Sequence, residues 1–297
     1  MNQFSASDAA LEGFRITRNQ PRAILAWCGV YFLGILLIGL VMAAVLGPTF
    51  VKFMSDREIE SSSYDQFAAE LIKFWPSIIV VVAIALFFIA AITNAMFRTM
   101  FGHEDAKRFG IKFGADEVRV AVVHLVLSLL FLCLAFAFGQ FVTAAFQFNP
   151  MLMLVALAAG ALLLWLFVRL GLALPATFIE RKVAFGHGWA LSRGRFWPLL
   201  GMFVLAAIFY LMMWVIVAVV NGALLAATAL AQSNLSGFAL AGLVILVTIV
   251  SMLIQLFSSV MQIVIPLAPT AIAYQALNGP TTQAPAAPPA AAEPATP

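Results

Sequence analysis

The feature that most limits what this chain can become is a set of six long stretches without a single charged residue: Ala23–Leu46, Pro76–Phe97, Val120–Phe148, Met151–Val168, Phe196–Ala231 and Phe238–Leu277. About 20 apolar residues cross the hydrocarbon of a bilayer, and only a helix or a closed barrel satisfies its own backbone there. The expected fold is therefore all-α and polytopic, with six transmembrane helices. The fourth stretch continues past Arg169 to about Phe178. Composition agrees: 64% of residues are hydrophobic and 10% charged, against roughly 25% charged in soluble domains. That excludes a soluble protein, and no continuous basic face offers itself to nucleic acid.

Short turn signals, Asn149-Pro150 and Gln232–Gly237, join the third stretch to the fourth and the fifth to the sixth, so the spans read as three hairpins. The sixth is too long for one straight crossing at 1.5 Å per residue. Pro266 and Pro269 are expected to end or kink it, leaving Thr270–Leu277 near the interface. Residues 1–22 form an N-terminal segment, 23–277 the transmembrane domain, and 278–297 a Pro/Ala-rich tail expected to be disordered. About 22 mostly polar residues, Asp8 and Glu12 among them, precede the first stretch, which marks it as a retained span rather than a cleaved signal. Cys28 and Cys133 lie in apolar surroundings and read as small hydrophobes, with no disulfide or metal expected.

Lys and Arg near span ends are retained on the cytoplasmic side. With six spans, Arg15, Arg18, Arg22, Arg98, Lys107, Arg108, Lys112, Arg119, Arg169, Arg181, Lys182, Arg193 and Arg195 all fall on one face. The opposite face has Lys52, Arg57 and Lys73, outnumbered by Asp56, Glu58, Glu60, Asp65 and Glu70. The net charge of +3 thus divides into a positive cytoplasmic face and a negative outer one, with both termini cytoplasmic. A bacterial inner membrane is the expected location. Just before the first, third and fifth spans stand three similar segments, Phe14–Asn19, Phe109–Gly114 and Trp189–Gly194. Each has an aromatic residue, an Ile or Leu two positions on, and a final Gly or Asn, which suits an interfacial segment and suggests a threefold repeat of segment plus hairpin.

The stretch Arg169-Leu-Gly-Leu-Ala-Leu-Pro-Ala-Thr-Phe-Ile-Glu180, followed by Trp189-Ala-Leu-Ser-Arg-Gly-Arg-Phe-Trp-Pro198, resembles a pattern in a loose bacterial group of six-span proteins. That group includes the YciC-like proteins and the membrane domain of some glycerophosphodiester phosphodiesterases. The resemblance covers about 30 residues through Arg169, Pro175, Glu180, Ser192-Arg193-Gly194, Phe196 and Trp197. It implies a polytopic inner-membrane protein. The phosphodiesterase barrel has no counterpart here, so no hydrolase activity carries over.

Arg169 is the most informative single residue, because 18 uncharged residues precede it and ten follow before Glu180. A charge so placed is costly and points to function by default, although an arginine can also snorkel to head groups. Its counter-group is expected to be a lipid phosphate, a carbonyl freed near Pro175, or an amide. With Trp189, Arg193 and Arg195 it forms the candidate lipid or anion site. Ser251, Gln255, Ser258 and Gln262 recur at helical spacing in the sixth span, either as a path lining or, more in keeping with such residues, as interhelical hydrogen-bonding groups. Gln140, Thr143 and Gln147 make a shorter stripe, and Asn94, His124 and Asn221 read as satisfied packing residues.

No catalytic residues, cofactor or metal site are assigned. His103-Glu104-Asp105 lacks further ligands at metal spacing, and the acidic outer run reads as solvated charge. From Phe196 to Ala292 there is no Asp, Glu, Lys, Arg, His or Cys, so the last two spans supply no conventional acid, base or nucleophile. His124 and Ser128, one turn apart, are a weak pair. The expected function is a non-enzymatic membrane protein that organises or modulates the envelope by binding lipids or membrane-protein partners, or as a homo-oligomer. The alternative is a small transporter or lipid translocator using the stripes on spans three and six.

Overall fold

A computed structural model of the chain describes residues 5–55, 75–102, 109–148, 152–234 and 236–278. The His103 cluster, the acidic run from Asp56 to Asp65, the Asn149-Pro150 turn and the tail beyond Asn278 lie outside the described residues. Among the described residues every regular element is a helix: α1 (Ala6–Ala10), α2 (Glu12–Asn19), α3 (Pro21–Ser55), α4 (Trp75–Met100), α5 (Ala115–Phe148), α6 (Leu152–Leu170), α7 (Ala173–Glu180), α8 (Phe185–Leu191), α9 (Phe196–Asn234) and α10 (Gly237–Asn278). Six helical segments are long and apolar enough to cross a membrane. The chain is an all-α multi-pass membrane protein.

The three hairpins are α3–α4, α5–α6 and α9–α10, and further contacts of α4 with α5, α6 with α9, and α10 with α3 close them into a ring. The N-terminal segment and the described parts of the two connections rich in Lys and Arg, between spans two and three and between spans four and five, gather at one end, here the basic end. There the ring is filled from inside by α7, whose residues Ala173 to Phe178 are all buried. The N-terminal α1 and α2 pack on α9 and α10, so close that a Cβ on Gly13 would lie 3.0 Å from the Ile265 Cα.

The fourth span does not continue as one helix to Phe178: α6 stops at Leu170, and a turn at Gly171-Leu172 redirects the chain into the plug. A Cβ on Gly171 would run into the end of the Phe203 ring, so glycine lets the two pack closely at the turn. The helix does not end at Pro266 or Pro269 as one form of the expectation had it: α10 continues through both. Tertiary packing outweighs the lost backbone bonds here, with Val264, Ile265, Ala268, Pro269 and Ala271 all buried. Neighbouring elements of this kind let membrane helices tolerate proline.

The three similar segments take three different conformations. Phe14–Asn19 is helical in α2, Trp189–Gly194 ends α8 in a turn, and Phe109–Gly114 is non-helical. The last packs beside α4, where the exposed Phe113 ring stacks on Phe87 with centroids 5.8 Å apart.

Candidate functional site

Two arginines organise the basic end. Arg98, in the last turn of α4, and Glu117, in the first turn of α5, form an ion pair with side chains only 5% and 1% exposed. Arg98 Nη1 also donates to the Gly110 carbonyl at 2.8 Å, and its guanidinium lies 5.9 Å from the centre of the Phe178 ring on α7. Trp27 Nε1 donates to the Phe109 carbonyl at 2.9 Å. Together these bonds hold the non-helical 109–114 segment against α3 and α4. Gly110 sits at φ +68° against the α4 backbone, where a Cβ would be 2.5 Å from the Ala95 oxygen. Glu117 is also placed where the α5 dipole favours an anion.

Arg169 ends α6, where that helix's dipole favours a cation. Its guanidinium lies against two indoles, 5.3 Å from the Trp165 ring centre and 5.5 Å from that of Trp189. The rings themselves meet edge to face at 5.3 Å. Nη1 reaches the Trp189 carbonyl and Ser192 Oγ only at 3.5 and 3.4 Å, and Nε is buried without a partner. Among the described residues no carboxylate pairs with it. The contacting carbonyl comes from α8, not from the region of Pro175. The buried Ser192 hydroxyl donates to the Trp189 carbonyl at 2.8 Å, which fixes the end of α8 under the guanidinium. Gly188 makes this approach feasible, since a Cβ there would come within 2.8 Å of the Ala173 nitrogen.

The structure therefore brings Arg169 and Trp189 together. Arg193, Arg195 and Trp197 follow in the next turn and are exposed, Trp197 to 77%. Chemically, the site is a cation set against two indoles, with long hydrogen bonds that leave donor capacity unspent, followed in sequence by two exposed guanidinium groups with no ion-pair partner among the described residues. Such an arrangement suits a phosphate. Beside it Glu180 accepts from His187 Nδ1 at 2.9 Å and Lys182 Nζ at 3.1 Å, so the acid nearest in sequence to Arg169 is already engaged.

The polar stripe of α10 is divided. Ser258 is buried and accepts from Gln262 Nε2 at 3.5 Å within the same helix. Gln255 instead faces outward into a cleft of about 610 Å³ between α3 and α10. On α5, Thr143 bonds its own helix at the Gly139 carbonyl. His124 lies 3.3 Å from Thr93 Oγ1 on α4 rather than paired with Ser128. Asn221 donates to the Val217 carbonyl, but Asn94 departs from expectation: it is fully buried with both amide atoms unpartnered.

Sequence reasoning missed Glu117 and Trp165 as members of this end, and named Ser192 only as part of the Ser192-Arg193-Gly194 pattern. One signal was present: Arg98 and Glu117 stand at the adjoining ends of consecutive spans, so the chain returns them to the same depth. No known protein family, curated protein or solved structure matches the chain.

Proposed function

We propose that the protein is a non-enzymatic component of the bacterial inner membrane that binds anionic lipid at its basic end, which faces the cytoplasm with both termini, and thereby organises or modulates the envelope. The carrying observation is the Arg169 cage, a guanidinium held by Trp165 and Trp189 with long protein contacts and no carboxylate among the described residues. A lipid phosphate supplies the missing acceptor. Arg193 and Arg195 add attraction for an anionic surface, and the exposed Trp197 suits the head-group layer. The absence of Asp, Glu, Lys, Arg, His and Cys from Phe196 to Ala292 supports a role without chemistry.

The test is native mass spectrometry of the protein exchanged between phosphatidylglycerol and phosphatidylcholine. The wild type should retain phosphatidylglycerol, and Arg169→Gln should bind it about tenfold more weakly, the equivalent of about 1.4 kcal/mol. Thermal stability should change little. Equal retention of both lipids, or no effect of the substitution, overturns the reading.

The transport reading draws on Gln255 and Ser259 lining the α3–α10 cleft. Replacing Gln255 and Gln262 by Leu should abolish lipid passage in vesicles if they line a path. If the anionic-lipid reading alone holds, the substitutions leave lipid retention intact.

A further inference from the structure

Arg169 is joined to Arg193 and Arg195 through one buried residue. Ser192 is fully buried, its Oγ lies 3.4 Å from Arg169 Nη1, and the same hydroxyl donates to the Trp189 carbonyl at 2.8 Å. From Ser192 the chain turns at once: the Arg193 nitrogen donates to the Ala190 carbonyl at 3.2 Å, and the Arg195 nitrogen donates to the Ser192 carbonyl at 3.4 Å. Gly194, at φ +71°, takes the left-handed conformation inside this turn. The ends of such a four-residue turn are less than about 7 Å apart. Both exposed arginines are therefore rooted within one side-chain length of the contact between Ser192 and Arg169. The next helix, α9, begins at Phe196, so the positive end of its dipole adds to the potential at the same turn.

The charges gathered there are not balanced by the protein. Among the described residues none of the three arginines has a carboxylate partner, and Glu180 is taken by His187 and Lys182. Cations collected on one turn repel one another. A ligand with a single phosphodiester neutralises one of the three and leaves two. Two phosphodiesters on one molecule neutralise two, and once the first is bound the second is delivered at the high effective concentration that a short tether provides.

We infer that the site takes a lipid whose head group carries two phosphodiesters joined through a glycerol, as in cardiolipin, with one phosphate on Arg169 and the other on Arg193 and Arg195. Basic pockets at the cytoplasmic ends of membrane helices recognise head groups of this class. The inference rests on the anionic-lipid reading and adds to it the identity of the head group.

The test is competition between cardiolipin and phosphatidylglycerol at equal total phosphate in a phosphatidylcholine background, read by native mass spectrometry of the full chain. The wild type should prefer cardiolipin by about tenfold or more. Arg193→Gln with Arg195→Gln should abolish the preference while leaving the weaker, Arg169-dependent retention of phosphatidylglycerol in place. Arg18→Gln with Arg22→Gln removes the same charge from exposed positions of the N-terminal segment and should leave the preference intact. Retention of phosphatidylglycerol without a preference for cardiolipin overturns the inference and leaves the anionic-lipid reading standing, whereas retention of neither lipid overturns both. A preference that survives loss of Arg193 and Arg195 also overturns it. So does one lost equally with Arg18 and Arg22, which is surface charge alone, and so does displacement of the bound lipid by excess inorganic pyrophosphate, which makes the ligand a soluble diphosphate.

Discussion

The two ends of the bundle are made by different physics. At the basic end Trp27, Met96, Phe97, Leu172, Leu199, Met202 and Ile265 are all fully buried, around an ion pair and an inserted loop. At the far end the same helices display leucines outward, such as Leu157 at 74% and Leu225 at 72% exposure. The difference follows from the solvent. The short helices α1, α2, α7 and α8 bury apolar side chains against the spans, and removing such surface from water is favourable at about 25 cal/mol per Å². In the hydrocarbon a leucine is as well solvated by lipid as by another helix, so cohesion there depends on close packing and polar contacts. The basic end thus specifies the arrangement of the spans, and the far end has surface to spare for lipid or a second copy.

The sharpest way to break this comparison is to remove one member of the buried pair. Glu117→Ala leaves the Arg98 charge uncompensated at 5% exposure, and the expected loss is about 3–5 kcal/mol in mixed-micelle unfolding. Leu157→Ala at the far end should change stability by no more than about 0.5 kcal/mol. Comparable losses would mean that both ends contribute alike.

A smaller effect is expected from glycine. Gly110→Ala forces a Cβ to 2.5 Å from the Ala95 oxygen at φ +68°, and should cost about 2 kcal/mol. Gly222 of α9 has open space around it. Gly222→Ala should be neutral or stabilise by up to about 1 kcal/mol through helix propensity. A loss at Gly222 similar to that at Gly110 would put unrecognised packing at the far end.

The far end was also the more legible from sequence. A helix in hydrocarbon is dictated by local composition, so six spans and three hairpins follow from uncharged runs and turn signals alone. The basic end depends on which distant residues meet, and composition is silent about that. Arg98 reads as one more loop cation until Glu117 is brought against it, and nothing in Ala173–Phe178 distinguishes an internal plug from the end of a span. For the same reason Pro266 and Pro269 do not end α10, because a local rule was overridden by packing that no window of sequence contains. Arg169 was identifiable by its position, whereas its indole cage required α8 to fold back onto α6.

The smallest expected effect carries the opposite sign and probes how well the basic end is optimised. Asn94 lies in the buried portion of α4, one residue from Thr93, which bonds both the Ile89 carbonyl and His124. Its own amide bonds nothing among the described residues. A buried polar group without partners costs its full desolvation, whereas an apolar residue of similar shape removes that penalty. Asn94→Leu should therefore raise stability by about 1 kcal/mol, the one substitution in this densely packed region to do so. A loss of similar size would instead mean that the amide binds internal water, since such waters bridge otherwise unsatisfied groups and are costly to remove. Either sign assigns the amide a role: a rise makes it an imperfection that the surrounding contacts outweigh, and a fall makes it part of a hydrated polar network linking α4 to its neighbours.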